Sequence, residues 1–210
     1  MNMENAIRGA RNPMNSWDRM DSYFAKDWEI DASICDEYIT LGPNDLALAR
    51  RLVKAGSDHR KFLRQIFVSV DITAPLYWWK EFDTYKVGTT ANSCSTMHKI
   101  HTKPFDLSDF SVDQLNCDIP DCFYDTLDYL NESREKFITT KDKKYWWRMI
   151  QTLPSSYNQL RTVTLNYENL LNQYYARKHH KLDEWHIYCD WIETLPYFKE
   201  MCLEGDTNGN

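Results

Sequence analysis

The sequence predicts an α+β fold in which helices of mixed length surround a small sheet, and three observations predict it. Ile66, Val68, Val70 and Ile72 alternate with Ser69, Asp71 and Thr73, a period of two that makes a strand with one β-branched face. Leu46, Ala49, Leu52 and Val53 recur at helical spacing behind Gly42-Pro43-Asn44-Asp45, and Gly56 stops the run. Most remaining apolar residues fall in aromatic-rich stretches of helical length: Phe, Trp and Tyr make up 14% of the 210 residues, with eight Trp and thirteen Tyr. Many helices and few strands define the class. Rings in such number build an aromatic core, or else they line a planar ligand or an oligomer interface.

The elements follow in chain order. Residues 1–40 read as irregular, because Asn12-Pro13 and scattered Asp residues break any long period. After the first helix and the strand Ile66 to Thr73, Pro75 ends the strand. Leu76 to Tyr85 then forms a helix with Trp78, Trp79 and Phe82 turned inward. Thr89 to Ser95 is small and polar, a loop or an irregular strand. Asp109 to Glu132 reads as a helix interrupted by Pro120, and Lys141 to Ile150 as a short helix carrying Tyr145, Trp146 and Trp147. Leu153-Pro154-Ser155 opens a long helix whose stripe is Leu160, Val163, Tyr167, Leu170, Leu171 and Tyr174. A final helix holds Trp185, Ile187, Tyr188, Trp191 and Ile192. The expectation is a single domain over residues 1–203, followed by a frayed tail at 204–210.

Composition narrows the function. A formal net charge of −6 argues against a general DNA-binding or membrane-surface protein, yet leaves room for a small anionic ligand in a local basic pocket. No stretch reaches the roughly 18 apolar residues of a membrane span. The polar run Met1 to Asn15 carries no secretory signal, so the expected location is the cytoplasm, with Cys35, Cys94, Cys117, Cys122, Cys189 and Cys202 reduced.

Several chemistries lack their residues. No CxxC pair, HExxH, P-loop, GxGxxG or GxSxG occurs. His98 with His101, and His179-His180 with His186, do not make a set of zinc ligands, so no metal is expected. Cys94, between Ser93 and Ser95, reads as a small hydrophobe before a nucleophile. A basic cluster of Lys86, His98, Lys99, His101 and Lys103 surrounds the small-residue loop. It is either a solvated stretch or a phosphate pocket.

Three segments, in order, resemble the flavin-dependent thymidylate synthases. That family's motif, Arg-His-Arg-x-x-Ser-x-Asn-Glu-x-Ser-x-Arg, follows a strand, a Pro and an aromatic helix. It lies without gaps on Tyr85 to Met97: Thr90 takes the place of the first Ser, Asn92 and Ser95 match, the triplet is Tyr85-Lys86-Val87, the Glu is Ser93 and the last Arg is Met97. Upstream, Asp58 to Arg64 lies on a His-x-Ser-x-x-Glu-His-like run, with Leu63 at the Glu and His59 one place from the His. Downstream, Leu153-Pro154, Asn166, Leu170-Leu171-Asn172 and Arg177 fall at the family's spacing, whereas Glu168 and Tyr188 replace arginines. Ala10-Arg11 is similar to an early Ala-Arg of the family.

The resemblance implies FAD as cofactor, held by Lys86, Thr90, Asn92, Ser95, Asn166 and Arg177. It implies a nucleotide-like small molecule as substrate, near Arg64, Ser93, His98 and Lys99, and a homo-oligomer, expected to be a tetramer, with no DNA or membrane partner. The family transfers a methylene group to deoxyuridine monophosphate and reduces it with flavin hydride. A phosphate ligand favours bidentate arginine. With Met97, Glu168 and Tyr188 at three arginine positions, thymidylate synthesis is expected to be altered or lost. Three readings stay open: an FAD-dependent methyltransferase or oxidoreductase of nucleotide metabolism, a non-catalytic binding protein on the same scaffold, and a phage or mobile-element enzyme.

Overall fold

In the computed structural model the described residues are 2–25, 39–115 and 118–204. Cys35 and Cys117, and all but the first residue of the expected frayed tail, lie outside them. The chain divides into two compact units: unit one is Met1–Ser69, Val87–Thr89 and Thr164–Asn210, and unit two is Val70–Lys86 and Thr90–Val163.

Unit one begins with a helix that the sequence reading missed. α1 spans Met3–Ala10, and its i, i+3, i+4 residues Met3, Ala6 and Ile7 are fully buried. Asn12-Pro13 starts the next turn rather than preventing this one. β1 (Tyr23–Phe24) pairs antiparallel with β2 (Ile39–Thr40). α2 (Pro43–Lys54) has Pro at its first turn, where the missing N–H costs nothing. Asp21 accepts from the N–H groups of Asn44 and Asp45 at 2.9 and 3.0 Å, and Gly56 follows the helix with φ +98°. Asp45 is buried beside Arg11, whose Nε donates to it at 2.6 Å. Its other oxygen accepts from Ser22 N and Oγ at 2.9 and 2.6 Å. α6 (Tyr167–Arg177), α7 (Asp183–Glu193) and α8 (Phe198–Cys202) complete the unit. Leu63, Ile66, Tyr167, Leu170, Trp185 and Phe198 lie in its interior. Trp185, on the final helix, is fully buried within the protomer.

Unit two carries most of the small sheet. β3 (Phe67–Pro75), β5 (Asn158–Asn166) and β4 (Thr90–Ser93) lie in the order β3-β5-β4, and β3 and β5 each start in one unit and end in the other. Tyr167 N donates to Ile66 O, and Leu76 N to Tyr157 O, so β3 and β5 run antiparallel. α3 (Leu76–Phe82) buries Trp78, Trp79 and Phe82, with Trp78 stacked on Phe82 at 5.1 Å and edge-on to Trp79 at 4.9 Å.

Two expectations are corrected here. The long helix from Leu153 does not exist, because Asn158–Asn166 is β5 and helix begins only at Tyr167. Leu160 and Val163 fit a helical stripe, but Gln159, Val163 and Leu165 also fit a period of two. Pairing to β3 and β4 selects that period, leaving Leu160 40% exposed and Val163 fully buried. The helix expected over Asp109 to Glu132 is two short 3₁₀ turns, Leu107–Asp109 and Asp113–Leu115. α4 then runs from Asp121 to Thr140, with Pro120 at its N-cap. Proline ends nothing there; it opens the helix. α5 (Lys143–Thr152) follows a turn at Lys141, whose φ is 58°. α4 and α5 close over Ile100, Phe105, Phe110, Leu130 and Met149.

Candidate functional site

In unit two the residues matched to the flavin motif form one exposed strip. Thr90, Asn92 and Ser93 lie on β4, and all are exposed. Alternation puts Thr90 and Asn92 on one side of the strand and Ser93 on the other. The strip is pinned at its end: Cys94 N donates to Leu160 O at 2.9 Å, and Gln159 Nε2 donates to Cys94 O at 2.7 Å. Ser95 Oγ accepts from Met97 N at 3.2 Å and His98 N at 3.0 Å, so its first task is to hold a turn. Trp146 Nε1 donates to Met97 O at 2.9 Å. His98, Lys99 and Lys86 are exposed.

The basic cluster does not survive whole. Lys103 pairs with Asp109, and its ammonium is stabilised first by that hydrogen bond, which raises its pKa. His101 lies edge-on to Phe137 at 5.0 Å, and its carbonyl accepts from Arg134 Nε at 3.0 Å. Beneath the strip runs a network that the sequence reading did not find. Arg161 pairs with Asp83 at 2.8 Å, donates to Gln159 Oε1 at 2.9 Å and lies 4.3 Å from the Trp79 ring centroid. Trp79 Nε1 donates to Gln159 O at 2.9 Å. Those partners are 78 and 80 residues apart, and no local pattern announces them.

In unit one, Gly88 has φ +74°. A Cβ there would approach Asn169 Oδ1 to 3.0 Å and Asn166 Nδ2 to 3.2 Å, so glycine is required twice over. Asn169 Nδ2 donates to Val87 O at 2.7 Å. Asn166 and Asn169 form a capping box at the start of α6: Asn166 Oδ1 accepts from Asn169 N at 3.0 Å, and Asn169 Oδ1 from Asn166 N at 3.3 Å. The sequence reading, which ran one helix through Asn166, missed this cap. Thr89 Oγ1 is buried without a hydrogen-bond partner among the described residues.

The arginine positions of the resemblance have taken other work. Glu168 is 6% exposed, and both its oxygens face Arg60 Nε, at 3.1 and 2.9 Å; Arg60 Nη2 also donates to Asn172 at 3.2 Å. Tyr188 is buried, and its hydroxyl donates to Gln173 Oε1 at 2.6 Å. Leu63 is fully buried in the core. Arg177 lies 4.8 Å from the Trp185 ring centroid. It stands eleven residues from Asn166 along α6, about 16 Å at 1.5 Å per residue, so the two do not touch one small group. Arg64 is exposed, with Nη2 donating to Ser57 O at 3.3 Å.

Cys94 is exposed, whereas burial pushes the Cys189 and Cys202 thiols up to about 11 and about 12. Among the described residues no group of three or more His, Cys, Asp or Glu side chains is placed to hold a metal, and no helix is long and apolar enough to cross a membrane.

Mixed helices, a three-stranded sheet and a β4 strip carrying Asn92 make up the fold of the flavin-dependent thymidylate synthases, here in a divergent sequence. Among the solved structures that match are two crystal structures of thymidylate synthase X from Helicobacter pylori with FAD and dUMP. The first superposes at a TM-score of 0.66 and 13% identity, over 99% of this chain and 96% of that one. The second does so at 0.66 and 14%, over 97% and 94%. No protein-family model matches the sequence, and no curated protein does.

Proposed function

We propose that this chain is a divergent flavoprotein that binds FAD and a nucleotide-like ligand, with thymidylate synthesis altered or lost. The observation that carries the reading is the full-length match to structures holding FAD and dUMP, set against three arginine positions now filled by Met97, Glu168 and Tyr188.

The residues of the strip fit a flavin. Thr90 and Asn92 are exposed, and their side chains hydrogen-bond to no described residue, so both offer donors and acceptors to a ring edge. Lys86 and Lys99 are ion-paired to no described residue and would meet a phosphate. A bound flavin supplies hydride chemistry, and the chain's part is to bind and orient it. In unit two, Ser93 and His98 are the groups left for an anionic substrate.

The fit to deoxyuridine monophosphate is poor. Glu168 is committed to Arg60 and Tyr188 to Gln173, and neither offers a bidentate cation. These same replacements favour the second reading, a binding protein without catalysis on this scaffold. A homotetramer belongs to the proposal: light scattering at micromolar concentration is expected to give four times the protomer mass.

The test is the purified protein's visible spectrum, with mass spectrometry of whatever co-purifies. Oxidised-flavin bands after reconstitution with FAD support the reading, and a colourless protein overturns it in favour of the non-catalytic one. Growth of a thymidylate-synthase-deficient bacterium without thymidine, rescued by this chain, would overturn the lost activity instead.

A further inference from the structure

We propose that unit one holds a second ligand site, a cleft between the turns after α1 and the outer face of α2 that binds a nucleoside monophosphate. The cleft lies within unit one and does not rest on the flavin reading of the β4 strip in unit two. It encloses about 860 Å³ and stays open to solvent, which is room for a nucleotide. Arg11, Arg19 and Arg51 line it, with Asp18 as the one lining carboxylate among the described residues. That excess of cations is unexpected in a chain whose 31 acidic residues outnumber its 25 basic ones. Folding neutralises only one of the three. Arg11 is 4% exposed and paired with the buried Asp45. Arg19 and Arg51 are exposed and ion-paired to no described residue.

The wall that carries them is preformed. Arg11 Nη1 donates to Ser16 O at 3.3 Å, and Trp17 Nε1 donates to Asn12 Oδ1 at 2.9 Å, which holds the turns after α1. Asp45 Oδ2 accepts from Asp21 N at 3.1 Å, and the Asp21 carboxylate accepts from the N–H groups of Asn44 and Asp45. The far end of the same segment is thus fastened to α2. These contacts also occupy the helix N-terminus, so side chains are left to recognise the ligand. Asn44, Ala47, Leu48 and Arg51 recur at i, i+3, i+4 and i+7 and share one face of α2. A fixed wall lowers the ordering cost of binding. Each group then matches one part of a nucleotide. Two guanidinium forks suit a dianionic phosphate monoester, whereas a carboxylate ligand needs only one. Asp18 repels a bare anion, but a carboxylate accepts hydrogen bonds from the vicinal hydroxyls of a ribose. Met14, Ala47 and Leu48 are the apolar lining, and Met14, 82% exposed, offers its thioether to a flat base.

Isothermal titration calorimetry of the full chain with AMP tests this, with adenosine and inorganic phosphate beside it. AMP is expected to bind saturably with a micromolar Kd, and adenosine about 100-fold more weakly. Arg19→Ala/Arg51→Ala should weaken AMP binding by about 100-fold, and Arg51→Lys, which keeps the charge and loses the fork, by about tenfold. Asp18→Ala separates the two roles of that carboxylate: AMP binding should weaken about tenfold while inorganic phosphate binds more tightly. Circular dichroism of each variant establishes that it is folded. Lys86→Ala/Asn92→Ala should leave AMP affinity unchanged, so failure of this site and failure of the flavin reading are distinguishable. No AMP binding, equal binding of adenosine, affinity unmoved by the arginine variants, tighter AMP binding by Asp18→Ala, or displacement of AMP by FAD would each overturn the proposal.

Discussion

The buried polar pairs of unit one and the β4 strip of unit two treat polar side chains in opposite ways. In unit one, Arg11 with Asp45, Arg60 with Glu168, and Tyr188 with Gln173 are bonded to one another largely away from water, with Gln173 Nε2 left without a hydrogen-bond partner among the described residues. On β4, Thr90, Asn92 and Ser93 are exposed, and their side chains hydrogen-bond to no described residue. Polar groups committed to each other stabilise a fold, because breaking one strands its partner. Uncommitted ones contribute little stability and are available to a ligand. Two of the three lost arginines thus became part of the scaffold in unit one, whereas the matched Asn of the motif stayed exposed.

The comparison is most exposed to failure at Arg11. Arg11→Ala leaves a fully buried carboxylate with Asp21 and Ser22 as its remaining partners among the described residues, and is expected to cost about 3–5 kcal/mol in urea unfolding. A loss below about 1 kcal/mol would mean the pair is not structural. Arg60→Ala is expected to cost less, about 2–4 kcal/mol, because Arg60 keeps some solvent. The double change Arg60→Met/Glu168→Leu should recover most of that, and if Glu168 instead serves a ligand the recovery will not appear. Tyr188→Phe removes one buried hydrogen bond and is expected to cost about 1–2 kcal/mol. At the small end, Lys86→Ala/Asn92→Ala should shift Tm by no more than about 2 °C, since both sites are exposed, yet remove bound flavin. Unchanged flavin occupancy in that variant refutes the assignment of the strip.

The pH dependence sharpens the same contrast. The Cys189 and Cys202 thiols, held up by burial, stay protonated in the folded chain at pH values where the unfolded chain ionises them from about 9. Their contribution is complete below that value and is lost as pH rises toward 11 and 12. Unfolding at graded alkaline pH should show stability falling there, while alkylation at neutral pH should reach Cys94 and Cys122 first.

By itself the sequence determined the elements whose periodicity was unambiguous. The β-branched alternation of β3, the proline-led α2, the aromatic α3 and the short α5 were all legible, because each pattern is carried by neighbours along the chain. So was the fold family, through the order of Pro75, Asn92, Leu153-Pro154 and Asn166. Only the tertiary structure decided the rest. Leu160 and Val163 suit a helix or a strand, and hydrogen bonds from other strands chose between them. The Arg60–Glu168 pair joins residues 108 apart, and Arg161–Asp83 joins residues 78 apart. A charge in the sequence carries no sign of whether it will be neutralised by folding or left for a ligand. That is settled by which side chains packing brings within about 3 Å, a distance at which one partner's burial makes the other's presence obligatory.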